Sequence, residues 1–305
     1  MILRKRNWIF RGCLNIKGNV TEIQSGTVNL EKELQTVIEN NMTTFFGVTF
    51  LATEYSTTDG GRMDSIGIDE NHCPVIFEYK RSIKDNVINQ GLFYLNWLLD
   101  HKDSFKVLVI EKIGLEAARE IDWTMPRVVC VANDFTKYDE SAIKQMNRNI
   151  SLIRYRKFGD EMLMFEHINE NIANALPDDN AAERTTRRAD KTFDEQIATA
   201  DSAIQILYQD LVNYLLSLGD DITETRLKLY SAFKKIKNVT TVIAHKKMLV
   251  LNISLNPETV SFEEGFSRDV SGIGHWGTGN VELRIKNKAD FEKAKPLLDR
   301  AYNEN

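Results

Sequence analysis

Charged residues interrupt two apolar, strand-like segments between residues 61 and 81. The stretch reads GRMDSIGIDENHCPVIFEYKR, and its short polar centre predicts a turn that joins two strands. Asp64 falls in the first strand, whereas Glu78 and Lys80 fall two positions apart in the second and therefore point to one face. If the turn is centred on Asn71, Asp64 lies directly opposite Glu78.

Two opposed carboxylates in a hairpin require something that neutralises them. Side chains directly across an antiparallel pair stand about 5 Å apart at Cβ, and like charges there are destabilising. Mg²⁺ (or Mn²⁺) binds oxygen ligands and is held by one or two carboxylates together with water and a substrate phosphate. Lys80 could then stabilise charge on that phosphate or orient a water molecule. The three residues indicate metal-dependent hydrolysis of a phosphodiester.

The same residues allow a second interpretation, a surface hairpin with a polar outer face on which Lys80 simply pairs with Glu78. The apolar residues at 75–77 and Tyr79 crowd both faces of the second strand, which favours a strand covered on both sides. Spacing alone leaves both interpretations open.

The hairpin lies within a segment in which helices and strands alternate, which predicts an α/β first domain at residues 1–168. Helices are predicted at 29–41, 85–102, 114–121 and 136–147, and strands at 105–111, 127–133, 150–158 and 161–168. Residues 169–193 are polar and without a sustained period, which predicts a linker.

Residues 194–305 predict a smaller α+β domain that could bind substrate or a partner. Helices are predicted at 197–219, 223–236 and 288–302, and strands at 240–246, 248–255 and 281–285.

The composition excludes several classes of protein. A net charge of −5 gives no overall basic field, so any nucleic acid must be met by a local patch. No segment approaches the roughly 20 apolar residues of a membrane span, so no membrane partner is expected. The three cysteines form no CxxC pair, and a reducing cytoplasm fits them best.

One such basic patch is predicted between residues 226 and 247, a stretch with seven Lys or Arg and no Asp or Glu. Tyr230 and Phe233 are interleaved with the charges, so the patch could hold a nucleic-acid backbone and stack a base. The candidate contacts are Lys234, Lys235 and Lys237. Alternatively, Leu227, Tyr230 and Phe233 form the core stripe of a helix with solvated lysines opposite.

Gly272, Gly274 and Gly277 spell GxGxxG, but a strand follows them instead of a helix, which argues against a dinucleotide site. We interpret the glycines as a wide turn. His275 and Trp276 in this turn are either ligand or partner contacts, or an anchor of the fold.

Asp64, with Glu78, Tyr79 and Lys80 as the (D/E)xK element, resembles the PD-(D/E)xK superfamily of restriction-endonuclease-like nucleases. Met63 stands where the superfamily name has Pro. The resemblance implies a mixed central sheet flanked by helices, with Mg²⁺ bound by Asp64, Glu78 and the backbone carbonyl of Tyr79. Lys80 would position water or balance developing charge, and no covalent intermediate would form.

Two helix residues extend the resemblance. Glu33 in LEKELQ lies on the N-terminal helix that often adds an acidic group in this superfamily, and Gln90 in VINQG lies on the helix after the lysine. Gln90 and Tyr94 are four residues apart on one helix face and could hydrogen-bond phosphate.

More narrowly, LEKELQ, EYKR, VINQG and the stretch DWTMPRVVCVANDFTKYDESAI resemble a bacterial two-domain family, some members of which carry the label "predicted transport protein". The expected function is a metal-dependent nuclease with nucleic acid as its partner, DNA ahead of RNA, and a homodimer is left open. A non-cleaving nucleic-acid sensor with the same fold is the second hypothesis, and a protein-interaction adaptor is the third.

Overall fold

The computed structural model of the protein describes residues 13–14, 20–21, 25–26, 31–80, 87–159, 162–171, 191–272 and 277–305. Most of the predicted linker lies outside these ranges, as do Gly274, His275 and Trp276. The described residues form two units, each on its own sheet, and a separate antiparallel pair of β1 (Cys13–Leu14) and β2 (Val20–Thr21). No helix in the described ranges is long and apolar enough to cross a membrane.

The first unit is an α/β structure around a seven-stranded sheet. Its strands are β3 (Ser25–Gly26), β4 (Val48–Ser56), β5 (Arg62–Asp69), β6 (Pro74–Lys80), β7 (Arg127–Ala132), β8 (Asn149–Phe158) and β9 (Met162–Asn171). Its helices are α1 (Glu31–Asn40), α2 (Met42–Phe46), α3 (Val87–Asp100), α4 (Lys102–Lys112), α5 (Leu115–Arg119) and α6 (Lys137–Ile143).

The sheet of the first unit is mixed, as predicted. Its order is β3-β8-β7-β6-β5-β4, with β9 paired to β8. β4, β5 and β6 form an antiparallel meander, whereas β7 lies parallel to both β6 and β8. Parallel neighbours need a crossover, and α3 to α5 supply the one between β6 and β7.

Strand β6 is covered on both faces, which explains its nearly continuous apolar sequence. Phe77 and Tyr79 pack with Leu34 of α1 on one side of the sheet. Ile76 packs on the other side with residues of α3 such as Leu95. A strand buried on both faces loses the alternation of polar and apolar residues.

The second unit is an antiparallel sheet covered by helices. Its strands are β10 (Thr223–Arg226), β11 (Ser231–Lys234), β12 (Asn238–His245), β13 (Met248–Ile253), β14 (Ser267–Asp269) and β15 (Val281–Ile285), in the order β10-β11-β12-β13-β15-β14. Its helices are α7 (Phe193–Thr199), α8 (Ser202–Ser217) and α9 (Lys288–Glu304). Phe233 and Leu251 face the helices, whereas Ala232 and Val250 face the first unit.

Three of the predicted elements are wrong. The segment 105–111 is not a strand but part of the helix α4. The segment 223–236 is not a helix, because β10 and β11 form a hairpin in which the Leu227 N–H bonds the Tyr230 carbonyl. The helix predicted at 197–219 is two helices that break at Ala200 and Asp201, where Asp201 donates its N–H to the Lys246 carbonyl.

Candidate active site

The hairpin of β5 and β6 has the register predicted from its sequence. Ser65 lies opposite Phe77 and Ile66 opposite Ile76, and the same register continued outward places Asp64 opposite Glu78. The Tyr79 N–H donates to Asp64 Oδ2 at 2.9 Å, and the Asp64 N–H donates to Glu78 Oε1 at 3.3 Å. Each carboxylate therefore reaches the backbone of the neighbouring strand, and the two converge.

Burial makes this carboxylate pair electrostatically costly. Glu78 has no exposed surface, and its Oε2 atom is buried without a hydrogen-bond partner among the described residues. Burial and, secondarily, the charge of Asp64 raise the pKa of Glu78 to about 9. Burial also raises the pKa of Asp64, although the Tyr79 N–H and the Lys80 ammonium oppose the rise. The pair can therefore hold a proton or a cation between its oxygens.

The donor set fits Mg²⁺, which prefers oxygen ligands and keeps several of its waters. Asp64, Glu78 and the Tyr79 carbonyl would supply the protein oxygens, and Glu78 Oε2 has a free lone pair to offer. The ranges that the structure describes contain no group of three or more His, Cys, Asp or Glu side chains arranged for a metal ion. A site with two carboxylates would leave the remaining positions to water and substrate.

Lys80 lies at the end of β6, on the rim of this pair. Its Nζ atom is 4.0 Å from Glu31 Oε2, and 17% of its side chain is exposed. Its charge acts on both carboxylates, since it opposes the rise in the pKa of Asp64 and of Glu78. The interpretation as a solvated surface hairpin is wrong, because Glu78 is fully buried.

Glu33 does not join the site, contrary to the prediction. Its carboxylate lies 3.7 Å from Lys157 Nζ on β8, and nearly half of the side chain is exposed. Glu31 is the acid of α1 that lies beside Lys80 and acts on the pKa of Asp64. Residues two positions apart on a helix differ by about 200° around its axis, so the two glutamates face different neighbours.

The structure contains a polar network behind Asp64 that was not predicted from the sequence. Gln35 Nε2 donates to the Asp64 carbonyl at 2.7 Å and to Glu39 Oε1 at 2.8 Å. Ser65 Oγ donates to the same Glu39 oxygen at 2.7 Å and accepts from the Tyr79 hydroxyl at 3.1 Å. The network ties α1 to β5 at the position of Asp64. Its signal in the sequence is the spacing of Glu31, Gln35 and Glu39 at four residues, one helix face.

Gln90 and Tyr94 share a face of α3, as predicted, but Tyr94 is buried. Gln90 Nε2 lies 3.5 Å from the Tyr94 hydroxyl, which also accepts the Arg62 N–H at 3.1 Å. Tyr94 therefore fixes the start of β5 instead of presenting its hydroxyl to nucleic acid. Gly91 lies between Gln90 and Tyr94 on α3. A Cβ atom at this position would lie 2.4 Å from Val128 Cγ1, so only glycine lets α3 pack this closely beside Glu78.

The predicted nucleic-acid patch in the second unit is not an open basic surface. Lys234 is buried and donates to Glu170 Oε1 of β9 at 2.7 Å. Lys235 donates to the Tyr302 carbonyl at 3.1 Å and lies over the ring of that residue. Lys237 lines a cavity of about 430 Å³ at the junction of the two units, opposite Glu70. The first two lysines therefore serve the fold.

Comparison with known proteins identifies similarity in both units. Residues 193–305 match the family model described as "Domain of unknown function (DUF5655)". Over 296 residues the chain is 29% identical to an "Uncharacterized protein" of Haemophilus influenzae, an alignment that covers 94% of this chain and 98% of that protein. No solved structure matches the chain.

Proposed function

We propose that the protein is a metal-dependent nuclease that hydrolyses phosphodiester bonds of nucleic acid, with DNA as the expected substrate. The observation that carries the proposal is the convergence of the partly buried carboxylate of Asp64 with the fully buried carboxylate of Glu78, whose Oε2 atom has no hydrogen-bond partner among the described residues. A buried ionised group is costly unless it is paired or binds a metal. A cation therefore explains why two acids persist in the interior of this hairpin.

The order of the surrounding elements supports the proposal. The resemblance to the nuclease superfamily implies an acidic residue on a helix, then an acid and a (D/E)xK element on two paired strands, and a glutamine on the following helix. In this chain α1, β5, β6 and α3 come in that order, and they carry Glu31, Asp64, Glu78 with Lys80, and Gln90. Glu31, and not the predicted Glu33, is the helix residue beside Lys80.

Each side chain has a separate task in the proposed reaction. When bound, Mg²⁺ would polarise a phosphoryl oxygen and acidify a water molecule. The Tyr79 N–H holds one oxygen of Asp64, so this carboxylate would bind a cation with little reorganisation. Lys80 would place its ammonium beside the phosphate and balance the charge that develops there, with Glu31 keeping the ammonium in position.

The test is a cleavage panel with Mg²⁺ or Mn²⁺ over linear, circular and single-stranded DNA and over RNA. We expect Asp64→Asn, Glu78→Gln and Lys80→Ala each to lower the cleavage rate by about 100-fold or more. Glu33→Gln removes the same charge from the same helix as Glu31→Gln. It should leave the rate nearly unchanged, whereas Glu31→Gln should lower it.

Cleavage that survives all three site substitutions in clean preparations would reject the nuclease assignment. Nucleic-acid binding without cleavage, unaffected by these substitutions, would instead support the sensor hypothesis. Mn²⁺ binding separates the two, because a catalytic site must lose its ion in Asp64→Asn.

A further inference from the structure

The turn of the candidate catalytic hairpin is built by its own side chains. Asp69 Oδ1 accepts the N–H groups of Asn71 and Cys73, each at 2.9 Å. His72 takes the left-handed conformation with φ of 61°. The other Asp69 oxygen lies 3.4 Å from Arg127 Nε, and both side chains are almost fully buried. The turn is therefore held by its own hydrogen bonds, with Asn71 and Cys73 buried and His72 exposed.

The second unit binds this turn through hydrogen bonds to two adjacent residues. Asn71 Oδ1 accepts both the Tyr230 hydroxyl at 2.9 Å and Asn238 Nδ2 at 2.8 Å. Glu70 Oε2 accepts the backbone N–H of Asn238 at 3.0 Å. Asn71 and Asn238 are both nearly fully buried, so these bonds form away from water. Buried, fully paired polar groups specify one arrangement of the parts they join.

An apolar seam lies beside the hydrogen bonds. Cys73 of the turn and Met125 of the first unit pack in one cluster with Leu227, Tyr230 and Ile243 of the second unit. An ion pair also joins the units, where Lys234 meets Glu170 of β9. The contact is thus a packed interface that includes the turn itself.

Asn71 is the centre of the hairpin register. Each pair of opposed residues in β5 and β6, from Ile68 with Pro74 outward, lies the same number of residues before and after Asn71 in the sequence. A slip of one residue would turn every side chain of a strand to the opposite face of the sheet. Asp64 would then no longer face Glu78, and the two carboxylates could not share a cation.

We propose that the second unit, residues 193–305, acts as a brace that holds the β5–β6 hairpin in register through Asn71, with Tyr230 and Asn238 as positioning residues for Asp64 and Glu78. The proposal rests on the proposed nuclease function for its effect on catalysis. It assigns the second unit a role in building the site instead of binding the substrate. The brace itself can be measured without any activity.

The experiment uses the full chain with Tyr230→Phe, Asn238→Ala and the double substitution. Tyr230→Phe removes one hydroxyl and keeps the apolar seam, so it should fold. Tyr302→Phe is the matched control, since it also removes one hydrogen-bonded hydroxyl, the donor to Asp221 Oδ1 at 2.6 Å, within the second unit alone. Hydrogen exchange of the β5 and β6 amides, Mn²⁺ affinity, and kcat and KM for cleavage are compared.

We expect faster exchange in β5 and β6, weaker Mn²⁺ binding and a loss in kcat of about 10- to 100-fold in the double variant, with KM unchanged. Tyr302→Phe should change none of these. Unchanged exchange and Mn²⁺ affinity in a folded double variant would overturn the brace, and so would a rise in KM alone, which indicates a substrate-binding domain. If the wild type neither binds Mn²⁺ nor cleaves, the proposed function fails, while the exchange data still decide the brace.

Discussion

Replacing Glu78 by Gln gives a quantitative test of the buried carboxylate pair. The substitution keeps the shape of the side chain and removes its charge. In the folded protein the pKa of Glu78 is about 9, against an ordinary value of 4.5. The folded state therefore binds a proton that the unfolded chain releases between these two values, and this contribution to stability is lost as the pH rises.

The size of the effect follows from the two pKa values. Over this interval each pH unit lowers the contribution of Glu78 to the free energy of unfolding by about 1.4 kcal/mol. Between pH 4.5 and about pH 7 the loss is on the order of 3 kcal/mol. Gln does not titrate. The free energy of unfolding of Glu78→Gln, measured relative to that of the wild type, should therefore rise by about this amount over the same interval.

The assay is urea unfolding at several pH values between about 5 and 9 in EDTA, repeated with Mg²⁺. Glu70, whose pKa burial raises to about 7, titrates in both proteins and cancels in the difference. Mg²⁺ should stabilise the wild type by about 2.7 kcal/mol at a hundred times its Kd and should have little effect on the variant. A difference in stability that stays constant with pH would refute the reasoning, because Glu78 would then bind the same number of protons in the folded and unfolded states and its pKa would not be raised.

Two further predictions concern packing and the contact between the units. Gly91→Ala should lower the free energy of unfolding by about 1–3 kcal/mol, although Ala normally favours a helix, because the new methyl group would overlap Val128. Gly272→Ala is the control, since its new methyl group would meet nothing within 4 Å. An equal effect of both substitutions on the thermal midpoint would contradict the argument. Lys234→Met should cost about 3–5 kcal/mol in urea unfolding because it leaves Glu170 charged and buried. Adding Glu170→Gln should recover part of that loss, and additive costs would disprove the coupling.

The register of the hairpin could be predicted because its signals are local. The alternation of side chains and the polar turn indicate a register centred on Asn71, whereas the contacts of the second unit with Asn71 are not visible in the hairpin sequence. The face of α1 that lies beside the site was harder to predict. Glu31 and Glu33 both border the buried stripe, and only the packing of Gln35 against the Asp64 carbonyl selects between them.

Segments in which the spacing of apolar residues misleads account for the wrong predictions at 105–111 and 223–236. The run FKVLVIE contains a helical stripe of Phe105, Leu108 and Val109, but Val107 and Ile110 on the exposed side are apolar too and hide it. In the second unit, Leu227, Tyr230 and Phe233 have helical spacing, yet they belong to a hairpin. One side of this hairpin is buried against the first unit, and the sequence of the hairpin alone does not show that contact.

The ion pair between Glu170 and Lys234 makes the charge of a first-unit residue depend on the second unit. Glu170 also accepts hydrogen bonds from Ser151 and Thr223. Burial alone would raise the pKa of Glu170, but the charge and hydrogen bond of Lys234, together with the charges of His167 and Arg127, lower it to about 2. Thr223 and Lys234 both belong to the second unit, whereas β9 is an edge strand of the first unit. In the first unit alone this carboxylate would meet water and would need no ammonium. The low pKa of Glu170 is therefore a property of the contact between the two units.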